Sequence, residues 1–351
     1  MLAATSSAIP AFADDGYRQH NLVSDLPGMA DRTDPNLVNA WGIEHSATSP
    51  WWVNANGTGK SILYDGTGAA FPAAAPLVVT IPPPAGATGS STPTGIVFNG
   101  TTDFELAPNT PARFIFATED GAIAAWNPAV DATNAIVKVP DSPAAVYKGI
   151  TLGVMGGKNV IYAANFRAGT IDVFDASFAP VALAAGVFQD PRIPEGFAPF
   201  NVQNIGGSIF VTYAMQDPTK HDDVAGPGNG FLDQYNGDGA LIMRFRHGHW
   251  MNSPWGIALA PAGFGKLSGR LLLGNFGSGQ IAAFELRSGE FHGMLRGRRG
   301  KPITIDGLWG LKFGNGANAG PANVLFFAAG IQDEAHGLFG TLTPIPEDRR
   351  E

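Results

Sequence analysis

Apolar residues in this chain come in short runs, without the three-to-four spacing of amphipathic helices. WWVNA at 51–55, RFIFAT at 113–118, VIYAAN at 160–165, SIFVTY at 208–213, RLLLGN at 270–275 and VLFFAA at 324–329 form one set. Each leads through a Gly-containing turn to another run: SILYD (61–65), AIAAW (122–126), TIDVF (170–174), FLDQY (231–235), QIAAF (280–284) and LFGTL (338–342). β-Prone runs bounded by Gly, Asn and Asp predict strands joined by tight turns. Upstream of each pair stands a small-residue step with an apolar residue after it. These steps are Trp41-Gly42-Ile43, Thr94-Gly95-Ile96, Lys148-Gly149-Ile150, Phe200-Asn201-Val202, Trp255-Gly256-Ile257 and Trp309-Gly310-Leu311, and their first residues lie 53, 54, 52, 55 and 54 positions apart. A further, more polar run often follows, such as LVVTI at 77–81 or AIVKV at 135–139. Four strands per unit of about 50 residues is the pattern of propeller blades. The expected fold is all-β, a six-bladed β-propeller with four-stranded blades.

The sixth repeat runs out soon after Leu342, before a fourth strand can form, whereas the run Tyr17 to Ser24 precedes the first repeat and has no partner of its own. That strand is expected to complete the last blade, which removes the open edge a linear array would leave. The domain then spans 14–343, with blades starting near 38, 92, 147, 199, 253 and 307 and a polar tail at 344–351.

Composition narrows the functional classes. Of 351 residues, 46 are Gly and 27 Pro, too many for a helical bundle, while 44% hydrophobic content supports a large core. A net charge of −8 argues against a general nucleic-acid binder. No Cys is present, which excludes disulfides, thiolate metal sites and a cysteine nucleophile. Residues 1–13 (MLAATSSAIPAFA) read as a signal-peptide remnant with an A-x-A end but no basic start, so the expected location is exported, periplasmic or secreted. No transmembrane segment is expected, because no stretch approaches about 20 uninterrupted apolar residues.

In a propeller, the loop leading into each inner strand and the loop between the second and third strands emerge on one face. That face collects Asn39, Asn54, Asn56, Glu119, Asp120, Lys148, Asn165, Arg167, Asn201, Asn252, Asn275, Asp306 and Glu334. The longest such loop, Met215 to Gly230, contains Lys220-His221-Asp222-Asp223. His221, Asp222 and Asp223 are the candidate metal ligands, with Ca²⁺ ahead of Mn²⁺ and Zn²⁺; alternatively the acids cap turns and pair with Lys220. Glu334, His336, Glu119 and Lys148 are the candidate catalytic groups. Lys148 stands where three repeats have Trp, and it either binds an oxyanion or pairs with Glu119 of the neighbouring blade. Asn165, Arg167, Asn201, Asn275, Trp255 and Trp309 are candidate ligand contacts, although bulky ring residues also serve as core. Two basic groups, Arg296 to Lys301 and Arg244 to His249, read as solvated loops or as anion contacts. Absence of a P-loop, Rossmann fingerprint, GxSxG or HExxH pattern means that no nucleotide cofactor is expected.

Certain phrases carry a family resemblance. They are Asn39-Ala-Trp-Gly-Ile43, Ala117-Thr-Glu-Asp-Gly121, Ala164-Asn-Phe-Arg-Ala-Gly169, Gly196-Phe-Ala-Pro-Phe-Asn-Val-Gln203, Lys220-His-Asp-Asp-Val224, Asn252-Ser-Pro-Trp-Gly256 and Asp306-Gly-Leu-Trp-Gly310. Together they resemble an uncharacterised family of exported bacterial six-bladed β-propeller proteins, some with a PEP-type C-terminal sorting tag. The resemblance implies fold and export and no reaction; here 344–351 has no hydrophobic helix after it. Two functions follow from the face. One is a small-molecule site at the channel mouth with metal-assisted hydrolase, lactonase or lyase chemistry. The other is a non-catalytic platform for a glycan or a protein.

Overall fold

The turn-punctuated runs become antiparallel sheets. A computed structural model describes residues 16–345; the expected signal remnant and most of the polar tail lie outside them. Inner strands Ala40–Glu44, Pro93–Phe98, Tyr147–Met155, Phe197–Ile205, Pro254–Leu259 and Leu308–Phe313 each start a sheet, and successive inner strands neighbour one another around a ring that closes from blade 6 to blade 1. This is the six-bladed propeller with a four-strand plan. In blade 3 the fourth strand is vestigial, a single bridge between Phe174 and Pro180 beyond Thr170–Phe174.

Closure follows the sequence expectation. Tyr17–Ser24 pairs antiparallel with His336–Pro344, from Tyr17 opposite Pro344 to Ser24 opposite Leu338. Ser24 adds a side-chain bond, Oγ donating to the Gly337 carbonyl at 2.8 Å.

The repeated glycine has a steric cause. A Cβ on Gly42 would stand 2.4 Å from the Thr94 carbonyl oxygen, one on Gly95 2.7 Å from the Ile150 nitrogen, and one on Gly310 2.6 Å from the Trp41 carbonyl oxygen. Neighbouring inner strands therefore approach too closely for a side chain at this point. Blade 4 is the exception, and Asn201 instead spans the gap, its Nδ2 donating to the Trp255 carbonyl at 2.7 Å.

Apolar side chains pack between adjacent blades, as where Ile43, Trp51 and Val53 of blade 1 meet Phe326, Ala328 and Phe339 of blade 6. The ring residues do something different. Trp41, Trp255 and Trp309 turn into the channel with Phe166, Phe200 and Phe276 and plug its loop-rich end. Trp41 stacks on Trp309 at 3.6 Å and Phe276 on Trp309 at 3.8 Å between ring centroids. In the three Trp-bearing repeats a left-handed residue stands two positions before the ring: Asn39 (φ 48°), Ser253 (φ 48°) and Gly307 (φ 60°). Beneath the plug the channel remains hollow, a cavity of about 270 Å³ lined by Ile96, Ile150, Ile257, Leu311 and Gln203.

Candidate functional site at the channel mouth

Above the aromatic plug lies a chain of polar groups built from five blades. Lys148, on the inner strand of blade 3, is 2% exposed. Its Nζ lies 5.3 Å from the Trp41 ring centroid and 6.0 Å from that of Phe166. It bonds to Glu119 of the blade 2 turn, and to Asp222 Oδ1 of the long blade 4 loop at 3.1 Å. Of the two readings of Lys148, the structure shows the ion pair with Glu119. Burial opposes its charge, but the two carboxylates outweigh that and hold its pKa above the ordinary lysine value.

The network extends both ways. Asn56 Nδ2 donates to Glu119 Oε2 at 2.8 Å, and Asn39 Nδ2 donates to Asn56 Oδ1 at 3.4 Å and to Glu334 Oε2 at 2.5 Å. Asn39 Oδ1 accepts from Trp309 Nε1 at 3.2 Å, which ties the polar chain to the plug. At the other end His221 Nδ1 lies 2.9 Å from Asp222 Oδ1. Glu334 comes to the mouth on three consecutive left-handed residues, Gln332 (φ 57°), Asp333 (φ 53°) and Glu334 itself (φ 64°). Such backbone is held only where surrounding contacts enforce it. Burial, and then the charge of Glu119, push the Glu334 carboxyl up to about 7.

Other candidate residues sit elsewhere. His336 stands two residues beyond Glu334, at the start of the strand His336–Pro344, and its Nδ1 lies 2.7 Å from Asp25 Oδ2, on the closing segment and outside the mouth network. Asn165 and Asn275 are absorbed by the scaffold. Their Oδ1 atoms accept from the backbone N–H of Val146 (3.3 Å) and Asn252 (2.8 Å), which lead into inner strands. Asn201 bridges two inner strands as described. Arg167 is half-buried, away from the mouth network, and donates to the Pro143 carbonyl at 3.1 Å. Trp255 Nε1 donates to the Lys148 carbonyl at 3.0 Å, so Trp255 and Trp309 both belong to the plug.

Among the described residues, the set of three or more acidic and histidine side chains whose ligand atoms all lie within 4.8 Å of one another is Glu119, His221 and Asp222. Asp223, expected beside His221 and Asp222 as a ligand, is not one of them. Its Oδ2 is buried without a hydrogen-bond partner, and burial raises its pKa. The donor set suits a divalent ion, but the ammonium of Lys148 already bonds to both carboxylates, so an ion there has to displace it. Sequence reasoning placed Asn39 and Asn56 on this face without a role. It did not single out Asp25, whose reach to His336 across the closure leaves no local signal.

No protein-family model matches the chain. An uncharacterized protein of Acanthamoeba polyphaga mimivirus is 32% identical over 343 residues, covering 95% of this chain and 82% of that protein. A second uncharacterized mimivirus protein is 30% identical over 335 residues, 93% of this chain and 85% of its own length. The chain belongs to their family. These family members are viral, whereas the sequence resemblance pointed to bacteria; they give no support for bacterial export or for a sorting tag. Among solved structures, streptogramin B lyase aligns with a TM-score of 0.54 at 13% identity, over 95% of this chain and all of that one. A virginiamycin B lyase from Staphylococcus aureus, described as a catalytically inactive histidine-to-alanine variant with quinupristin, aligns at 0.51 and 11% identity, over 94% of this chain and 100% of its own. A glucose dehydrogenase aligns at 0.51 and 13%, over 87% and 96%. At such identities the family shares a fold with these enzymes.

Proposed function

We propose that this family member is an enzyme acting on a small carbonyl compound at the channel mouth, with lyase or lactonase chemistry. The observation that carries the reading is one hydrogen-bonded chain joining the buried Lys148 ammonium to Glu334, a carboxyl poised near neutrality. A carboxyl raised to about 7 beside a lysine held in its charged form can divide the roles of base and electrostatic stabiliser. Glu334 takes the proton α to a carbonyl while Lys148 stabilises charge on the carbonyl oxygen; the electron pair forms a C=C bond as the β C–O bond breaks and the carboxylate leaves. Substrate reaches Lys148 once Asp222, whose side chain is 66% exposed, moves aside. The streptogramin B and virginiamycin B lyases support the reading only by sharing the fold. We also propose export, supported by the apolar segment 1–13.

The test is a panel of lactones and cyclic depsipeptides, streptogramin B antibiotics included, followed by mass spectrometry. Ring opening by elimination leaves the mass unchanged and creates a double bond, while hydrolysis adds one water. Turnover that disappears in Glu334→Gln and survives chelation supports the proposal. Turnover abolished by chelation and restored by a divalent ion moves the chemistry to a metal on Glu119, His221 and Asp222. No turnover, together with binding on glycan or peptide arrays, leaves the platform function standing.

A further inference from the structure

Asn39 holds one of three equivalent left-handed sites, two residues ahead of the ring Trp in blades 1, 5 and 6. The other two sites carry Ser253 and Gly307. Residues without an amide therefore meet the backbone demand of this turn, and the amide of Asn39 needs another reason. Asn39 is 3% exposed, and a Cβ on Gly330 of blade 6 would stand 2.1 Å from its Oδ1. The neighbouring strand has to be bare at Gly330 to admit this side chain. Chemistry fixes which way the amide faces. An indole N–H only donates, so the atom that Trp309 Nε1 meets at 3.2 Å is the amide oxygen. The amide nitrogen then faces Glu334 Oε2 at 2.5 Å and Asn56 Oδ1 at 3.4 Å, which uses both of its hydrogens. A flipped amide would set donor against donor at Trp309 and oxygen against oxygen at Glu334. Glu334 is half-buried, and its Oε1 has no hydrogen-bond partner among the described residues.

We infer that Asn39 is the positioning residue of Glu334: it occupies Oε2 and reserves Oε1 as the atom that takes up a proton. That Oε1 also receives the substrate's proton rests on Glu334 being the base of the proposed reaction. An N–H bond to a carboxyl oxygen favours the ionised form. Asn39 therefore restrains the upward push that burial, Glu119 of the blade 2 turn and Asp222 of the blade 4 loop exert on Glu334, and Lys148 of blade 3 acts in the same direction as Asn39. With Oε2 tied to an amide that Trp309 holds in place, the carboxyl keeps one orientation in both of its charge states.

The test follows the Glu334 carboxyl itself, as the pH titration of its carbon resonance in the full chain, assigned through Glu334→Gln. Asn39→Gly repeats the residue that blade 6 carries at this site, suits the left-handed backbone and removes the amide. The Glu334 midpoint is expected to rise by about one pH unit, the worth of a hydrogen bond to a charged group. Asn39→Asp keeps an acceptor for Trp309 and sets a second carboxyl against Oε2. Its midpoint is expected to rise further, by about two pH units, as the pair shares one proton. Ser253→Gly, the matching change ahead of Trp255, is expected to lower stability without moving the Glu334 midpoint. A midpoint that stays in place in both Asn39 variants, or that moves as far in Ser253→Gly, would overturn the assignment. None of these readouts needs turnover, so an inactive wild type removes the proposed chemistry while the titration still decides the role of Asn39. Where a substrate is turned over, the acidic limb of the kcat/KM profile is expected to move upward with the midpoint.

Discussion

The two ends of the central channel are built on the same six inner strands and have diverged. At the loop-rich end stand Lys148, 2% exposed, and, among the described residues, six of the eleven non-glycine residues with positive φ: Asn39, Lys220, Ser253, Gln332, Asp333 and Glu334. At the other end Ile96, Ile150, Ile257 and Leu311 wall a plain cavity, and the ion pair there, Lys312 with Glu44 at 2.8 Å, has a lysine side chain 28% exposed. Strained backbone is costly, and its concentration beside a buried lysine at one end is why the proposed chemistry is assigned there, while the other end holds a buried carboxylate, Glu44, without such strain.

Replacing the two lysines is the strongest way to break this comparison. Lys148→Met strands Glu119 beside a fully buried cation site and should cost about 3–5 kcal/mol in urea unfolding, against about 1–3 kcal/mol for Lys312→Met, which strands the buried Glu44 where a partly exposed lysine leaves room for water. Equal losses at the two ends would erase the distinction. The next effect is a pH slope. Glu334 has a folded pKa of about 7 against 4.5 for the ordinary group, so between those values the folded chain holds more protons than the unfolded one. Stability should therefore fall as pH rises through that window, by up to about 1.4 kcal/mol per unit. Asp233, pushed up to about 8 by burial and then by Asp190, tilts the profile in the same direction. The difference between wild type and Glu334→Gln isolates the mouth, and identical slopes would place Glu334 in water. The smallest effect acts on both ends together. Gly310→Ala drives a methyl group against the Trp41 carbonyl and should cost about 1–3 kcal/mol without altering the pH slope.

Much of the architecture was legible because its causes recur. A glycine in five of the six repeats, required where inner strands nearly touch, sets a period that survives surface change, and the unpaired run at Tyr17 had one vacant partner. The site was legible only in part. Lys148 stood out against the Trp of other repeats, and its bond to Glu119 follows from blade adjacency. The tilt of three Trp rings into the channel was not readable, because it depends on left-handed residues two positions upstream, and Asn39 and Ser253 carry no glycine to announce them. Glu334 and His336 looked like partners, yet the loop between strands sends one to the mouth and the other to Asp25. The vestigial outer strand of blade 3 was hidden too, since APVAL after Phe178 reads as a good strand.

Joining Tyr17–Ser24 to His336–Pro344 also sets a timetable for synthesis. Within the propeller, Tyr17–Ser24 is made before every blade and paired last, because its partner arrives more than 300 residues later. Blades 1 to 5 can assemble in order as they emerge, but the ring stays open until blade 6 has been translated. A propeller interrupted before blade 6 thus carries an unpaired strand edge at each end, open to pairing with another chain.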